Sequence, residues 1–144
     1  MEEGKMKAVR LYAPRELHVD DVSIPEPGPG EALVRVRAVG VCGSDVHYYM
    51  DAQIGDAKAV FPFTMGHEFA GEIAALGPGA DGPPVGTRVA VDPAIACGKC
   101  ETCLDGNPNC CPNVRFPGSA PIQGALSEYY AHPAHLCEPI PDSM

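Results

Sequence analysis

Five of the seven cysteines in this chain fall within residues 97–111, and their spacing constrains the fold more than any other feature. Cys97-Gly98-Lys99-Cys100-Glu101-Thr102-Cys103 sets three thiols two residues apart, and Cys110-Cys111 follow after a Gly/Asn/Pro-containing turn. Two intervening residues let a tight turn aim successive sulfurs at one point. Zinc takes four such ligands in a tetrahedron, at roughly 2.3 Å each. The compact run supplies three, and Cys110 or Cys111 must return to supply the fourth. Thiolates also suit iron, so an iron–sulfur cluster is the alternative. A closed set of four leaves no open coordination position, so this site braces structure and does no chemistry. The loop has few apolar residues to pack, and a metal is a substitute for a core there. Disulfides or free thiols are the weaker reading of such spacing.

A chain of 144 residues is one domain's worth. Its formal net charge of -9 argues against nucleic acid or an anionic membrane surface as a partner. No apolar run reaches the length of a membrane span. Met1-Glu2-Glu3-Gly4-Lys5 lacks the basic start and apolar core of a signal peptide, so a cytoplasmic setting is expected.

Short strand-like runs occupy residues 7–11, 17–22, 31–39, 69–76, 85–91, 125–131 and 136–140, separated by Gly and Pro. Residues 31–39 alternate Leu33, Arg35 and Arg37 against Val34, Val36 and Ala38, the period of a half-buried strand. Ser44-Asp45 can cap a short helix over 41–50 with Val46, Tyr49 and Met50 on one side. Residues 61–65 read as an apolar loop broken by Pro62, and 97–111 as a loop without helical period. There is no long amphipathic helix, internal repeat or interdomain linker. The class is mainly β, a folded-over or barrel-like sheet. No Gly-x-Gly-x-x-Gly following a strand, the dinucleotide-binding fingerprint, is expected.

A second constellation is open rather than closed. Cys42 lies among Gly43, Ser44, Asp45 and His47, and His67-Glu68 follow Gly66 at a strand entrance. Taken singly, Cys42 reads as a small core residue and His67-Glu68 as a surface pair. Together they offer a thiolate, an imidazole and a carboxylate, leaving a fourth zinc position for water or substrate. A metal with an open position acidifies a bound water or alcohol. Neighbours on a strand point to opposite faces, so Glu68 joins His67 only if the backbone is irregular there; otherwise it supports a ligand from behind. Ser44 and His47 can form a proton path to solvent, though Ser44 also suits a helix cap. Asp45 reads as structural, bonding backbone or a ligand histidine. His18, His132 and His135 read as ordinary surface or loop residues, and Cys137 as a buried apolar one.

Gly40-Val41-Cys42-Gly43-Ser44-Asp45-Val46-His47-Tyr48-Tyr49, Gly66-His67-Glu68-Phe69-Ala70-Gly71-Glu72 and Val85-Gly86-Thr87-Arg88-Val89-Ala90-Val91 resemble the zinc-dependent medium-chain dehydrogenases. Val114-Arg115-Phe116-Pro117-Gly118 and Gly124-Ala125-Leu126-Ser127-Glu128-Tyr129 resemble their sorbitol/xylitol (polyol) dehydrogenase branch. The resemblance covers nearly the whole chain, in order. It implies a GroES-like, partly open β-barrel with short helices and a zinc-binding lobe at 97–111. It also implies that residues 1–144 are an N-terminal catalytic domain, incomplete without the nicotinamide-binding domain that follows in the family. Cys42, His67 and Glu68 fall on the catalytic zinc positions, and Cys97, Cys100, Cys103 and Cys111 on the structural ones. Cys110 stands where the family is usually apolar, and Thr87 where Asp is common, with no functional effect expected. Ser44 and His47 would relay the alcohol proton, and Tyr48 and Phe116 would line the substrate pocket.

The implied function is zinc-dependent, NAD(P)-linked oxidation of a secondary alcohol in a polyol (sorbitol, xylitol or L-iditol type) to a ketose. No cofactor-binding residue is assigned to this chain, and this chain alone is expected to be inactive. The complete enzyme is expected to be a homo-oligomer, often a tetramer. A butanediol or threonine dehydrogenase-like activity is the alternative within the family. Outside it, the alternatives are a non-enzymatic zinc module and an inactive remnant.

Overall fold

The computed structural model describes residues 4–144 apart from Asp142, so what was expected of Met1-Glu2-Glu3 and of Asp142 lies outside the described residues. Apolar and β-branched runs punctuated by Gly and Pro become short antiparallel strands. β1 (Lys5–Ala13) and β2 (Glu16–Ser23) form a hairpin, paired from Lys5↔Ser23 to Ala13↔Glu16. β3 (Glu31–Gly40) follows the rigid 24–30 segment, where Glu31 accepts a 2.9 Å hydrogen bond from the Gly28 amide. Then come α1 (Gly43–Asp51), a small hairpin of β4 (Gln53–Ile54) and β5 (Ala57–Lys58), β6 (Glu68–Leu76) and β7 (Arg88–Val91). A four-residue helix α2 (Glu101–Leu104) sits in the cysteine lobe, and β8 (Tyr129–Pro133) and β9 (Cys137–Pro139) end the chain.

The main sheet has the order β8-β3-β6-β7-β9, with antiparallel pairing throughout. The β1–β2 hairpin folds over one side of it. Val9 N–H donates to the Leu126 carbonyl at 2.8 Å, Glu128 N–H to that of Lys7 at 3.0 Å, and Leu11 and Phe63 exchange bonds at 2.7 and 2.9 Å. The result is the mainly β, barrel-like and partly open architecture. One core, including Val34, Phe69, Ile73, Val89 and Val91, lies on the main sheet. A second, of Leu11, Tyr48, Phe63 and Met65, lies under α1.

Several expectations are corrected. Ala32, Leu33 and Val34 are all buried, because β3 is sandwiched between β6 and β8 and its pairing with β6 slips between Leu33 and Val34 and again between Val36 and Ala38. A slip moves side chains to the other face, so simple alternation fails. The N-cap residue is Cys42, not Ser44, and Asp45 completes the cap by accepting the Cys42 amide. The buried face of α1 is Asp45 and Tyr48, while Val46 and Met50 are exposed. The strand read over 125–131 is hydrogen-bonded as a strand only from Tyr129, since 125–126 bond instead to Met65 and Gly66. The cysteine lobe, read as plain loop, contains α2, which is too short to leave a period. Gly77-Pro78-Gly79-Ala80-Asp81-Gly82 does carry Gly-x-Gly-x-x-Gly spacing directly after β6. It leads through Pro83-Pro84 to β7, not into a helix, so it is a turn and no dinucleotide-binding element.

His132, read as a surface or loop residue, is fully buried in β8. Its Nε2 lies 2.8 Å from the Asp92 carbonyl oxygen, so that nitrogen carries the proton. Its Nδ1 is buried with no hydrogen-bond partner among the described residues, beside the rings of Phe69 and Tyr130. Desolvation holds the imidazole below its ordinary pKa, against the Asp92 carbonyl bond and the charges of Asp92 and Glu31; His135 adds to the lowering. The unfolded chain therefore takes up this proton more readily than the folded one. Stability is lost as the pH falls below the ordinary histidine value of about 6.5. On going from about pH 7.5 to about pH 5.5, the urea midpoint of the wild type should fall further than that of His132→Gln. Equal falls in the two proteins would remove His132 from the acid response.

Candidate metal centres

The cysteine lobe leaves the body of the fold through a two-residue clasp, in which Ile95 and Arg115 exchange backbone bonds of 2.9 Å each. Between them the chain turns so that one sulfur from each of Cys97, Cys100, Cys103 and Cys111 lies within 4.8 Å of the others. Cys100 Sγ is 3.4 Å from Cys103 Sγ and 3.8 Å from Cys111 Sγ, and Cys97 N–H points at Cys111 Sγ at 3.4 Å. Sulfurs in a zinc tetrahedron with bonds of about 2.3 Å stand roughly 3.8 Å apart, so the set fits that ion. Cys111 is buried in the group; Cys110 is exposed, touched by the Asn109 amide at 3.6 Å. The backbone amides of Lys99 and Cys100 pull the Cys97 thiol down to about 6, while desolvation and the Cys100 thiol push Cys103 up to about 12. Backbone donors thus favour a thiolate at one end of the cluster, and the remaining protons must leave when a metal enters.

The second group is made by strand pairing. Gly40, ending β3, is the register partner of Glu68, which opens β6. Cys42 follows Gly40 closely, and His67 precedes Glu68, so the ends of two neighbouring strands bring these residues together. One ligand atom each from Cys42, His67 and Glu68 lies within 4.8 Å of the others. His67 sits outside the strand, and Gly66 before it has φ 92°, a left-handed turn. That irregularity lets His67 and Glu68 face one point despite being adjacent. The donor set is one sulfur, one imidazole and one carboxylate, which suits zinc with an open position.

Asp45 locks this arrangement. It is 3% exposed, and its two oxygens accept the Cys42 amide at 2.9 Å and the Gly66 amide at 3.0 Å. It therefore caps α1 and ties the Cys42 turn to the His67 loop with charge-assisted bonds. The expectation that Asp45 bonds backbone matches this geometry.

Two recesses flank the group and share His67. The smaller, about 110 Å³, is lined by Ser44, Tyr48, Ile54, His67, Phe116, Gly118 and Ser119. The wider cleft, about 420 Å³, is bordered by Gly40, His67, Glu68, Val91 and Pro93 among others. The Phe116 ring packs 5.2 Å from that of His67. Tyr48 is buried against Phe63, and its hydroxyl accepts the Ala120 amide at 3.0 Å, so it presents its ring to the recess. Ser44 reaches the recess, whereas His47, one turn along α1, is exposed; among the described residues the two share no hydrogen bond. Ile54 and Ser119 were missed from the sequence. Ser119 follows Phe116 by three residues in the same turn, a signal that could have found it; Ile54 arrives from β4 and carries none. His18 and His135 stay outside both groups, and Cys137 is buried as expected.

Residues 28–142 match the family described as the alcohol dehydrogenase GroES-like domain. The chain is 43% identical over 139 residues to a sorbitol dehydrogenase of Bacillus subtilis (strain 168), covering 96% of this chain and 39% of that protein. An Escherichia coli oxidoreductase of unknown specificity has a similar structure, with a TM-score of 0.89 at 35% identity, over 97% of this chain and 41% of its own. A cobalt- and zinc-bound thermostable alcohol dehydrogenase from Pyrobaculum aerophilum gives a TM-score of 0.80 at 31% identity, over 94% and 41%. The chain thus spans about two-fifths of the length of these relatives.

The lobe geometry separates neighbouring thiols. Cys111→Ser should cost the protein one bound zinc and lower its denaturation midpoint, and Cys110→Ser should leave both unchanged. Loss of metal from the Cys110 variant alone would reverse the assignment.

Proposed function

This chain belongs to the alcohol dehydrogenase GroES-like domain family, and from that premise we propose that it is the metal-holding, substrate-binding part of an NAD(P)-linked polyol dehydrogenase. The observation that carries this reading is the open Cys42, His67 and Glu68 group, whose His67 lines both a small recess and the wider cleft beside it. In the proposed reaction a secondary alcohol loses a hydride from carbon to NAD(P)⁺ and a proton from oxygen, giving a ketone, as when sorbitol, xylitol or L-iditol becomes a ketose. Cys42, His67 and Glu68 would hold zinc, which when bound supplies a Lewis acid that acidifies an alcohol hydroxyl.

The remaining work falls to side chains of this chain. Ser44, lining the recess, accepts the hydroxyl proton at Oγ as its own hydroxyl proton passes to a water, and His47, exposed on the same helix, takes a proton from that water and releases one to solvent. Phe116 and the Tyr48 ring wall the recess and limit water. Cys97, Cys100, Cys103 and Cys111 would hold a second zinc, with no open position, that braces the lobe. The nicotinamide is held by parts of the enzyme outside this chain's 144 residues. Assembly as a homo-oligomer and a cytoplasmic setting, where thiols stay reduced, complete the reading. No helix of the described residues is long and apolar enough to cross a membrane.

Metal analysis tests the centre directly. The wild type should carry two zinc ions per chain and Cys42→Ala one. One ion in both proteins would favour a non-enzymatic zinc module instead. With NAD⁺ and sorbitol or xylitol, this chain alone should yield no NADH absorbance; steady turnover would contradict the placement of nicotinamide binding elsewhere.

A further inference from the structure

Gly40 stands directly across the strand pair from Glu68. A β-carbon built at position 40 would lie 2.5 Å from Glu68 Oε2, 3.1 Å from its Cβ and 3.6 Å from its Cδ, so its three nearest neighbours all belong to one side chain. Nothing in the backbone demands glycine there, because its φ lies outside the left-handed region. Nor does core packing, because the residue is exposed at the edge of the wide cleft. The space is needed by the carboxylate.

We propose that Gly40 is a positioning residue for the open metal centre: its missing side chain reserves the volume that the Glu68 carboxylate occupies on its way to Cys42 and His67. This rests on the reading of those three residues as a metal centre. The Oε2 clash is with the far end of a flexible side chain. A methyl group at 40 is therefore met by rotating the Glu68 carboxylate away, and its 3.1 Å contact with Glu68 Cβ by the two strand ends parting by a few tenths of an ångström. The strands survive and the ligand set shrinks from three to two. An alanine here is tolerated by the fold and felt by the metal.

Four proteins test this as a double-mutant cycle: wild type, Gly40→Ala, Glu68→Ala and the double variant. Each is titrated with zinc against a competing chelator, and with Co²⁺ for the ligand-field spectrum of the open centre. Gly40→Ala should keep the lobe metal and bind the second about tenfold or more weakly, the loss typical when the support of a ligand is removed. Its cobalt spectrum should approach that of Glu68→Ala. In the Glu68→Ala background the glycine change should add nothing. Wild-type affinity in Gly40→Ala, or an undiminished loss in the double variant, overturns the proposal. If Gly40→Ala fails to fold, Gly40→Ala combined with Glu68→Gly must fold, since both the Oε2 and the Cβ contacts are then gone; failure of both also overturns it. A wild type that binds only the lobe metal defeats the reading of the centre itself, and the role of Gly40 falls with it.

Discussion

A single buried carboxylate holds the open site in shape. Asp45 accepts one amide from the turn after β3 and one from the loop before β6; those two segments carry Cys42 and His67, and Glu68 follows as the first residue of β6. A buried charge is costly unless its oxygens are occupied. Here both are occupied by backbone, so the carboxylate is satisfied only in this one relation of the two segments. An unpaired amide left behind in such a place costs on the order of 1–3 kcal/mol, which makes the clamp selective as well as stabilising. Cys42 and His67 are thus set by protein–protein bonds, before any metal contributes.

The cysteine lobe is built on the opposite plan. It contains no buried apolar side chain apart from the Cys111 thiol, and Leu104 is 73% exposed. Its connection to the sheet is the Ile95–Arg115 clasp. Order within it must come from the sulfurs converging on a common partner, so the free energy of binding metal is the free energy of folding the lobe. The main sheet has Val34, Ile73 and Val89 fully buried and needs no such partner. The molecule therefore divides into a region ordered by apolar burial and a region ordered by coordination. The open centre belongs to the first.

This division explains what could be read in advance. The lobe is local in sequence, so two-residue gaps between thiols disclosed it, down to the choice between two neighbours that only the returning turn decides. The strands were disclosed by apolar runs and turn residues. Their register was not: the slips in β3 and the sharing of 125–126 between β1 and the 65–66 loop arise from partners far along the chain. The burial of His132 is of the same kind. Polar by composition and near Pro133, it is covered because β8 lies beside β3, and nothing within a few residues of it records that. Helix α1 misled for a related reason: its inward face is a carboxylate and a tyrosine with backbone partners elsewhere, while Val46 and Met50 face out.

The open centre was legible as a residue set and illegible as a geometry. By the alternation of a strand, His67 and Glu68 should diverge, and a reader who trusted that rule would have set Glu68 aside. The rule gives way because β6 begins only at Glu68 and Gly66 turns left-handed before it. Local rules fail where a structure spends stability on something other than folding. Three departures meet around these ligands: a broken alternation at His67 and Glu68, a buried acid bonded to the Cys42 and Gly66 amides, and a glycine opposite Glu68 that neither turn nor core requires. Departures of that kind, converging from three segments on one point, are stronger grounds for a functional site than any one of the residues taking part in it.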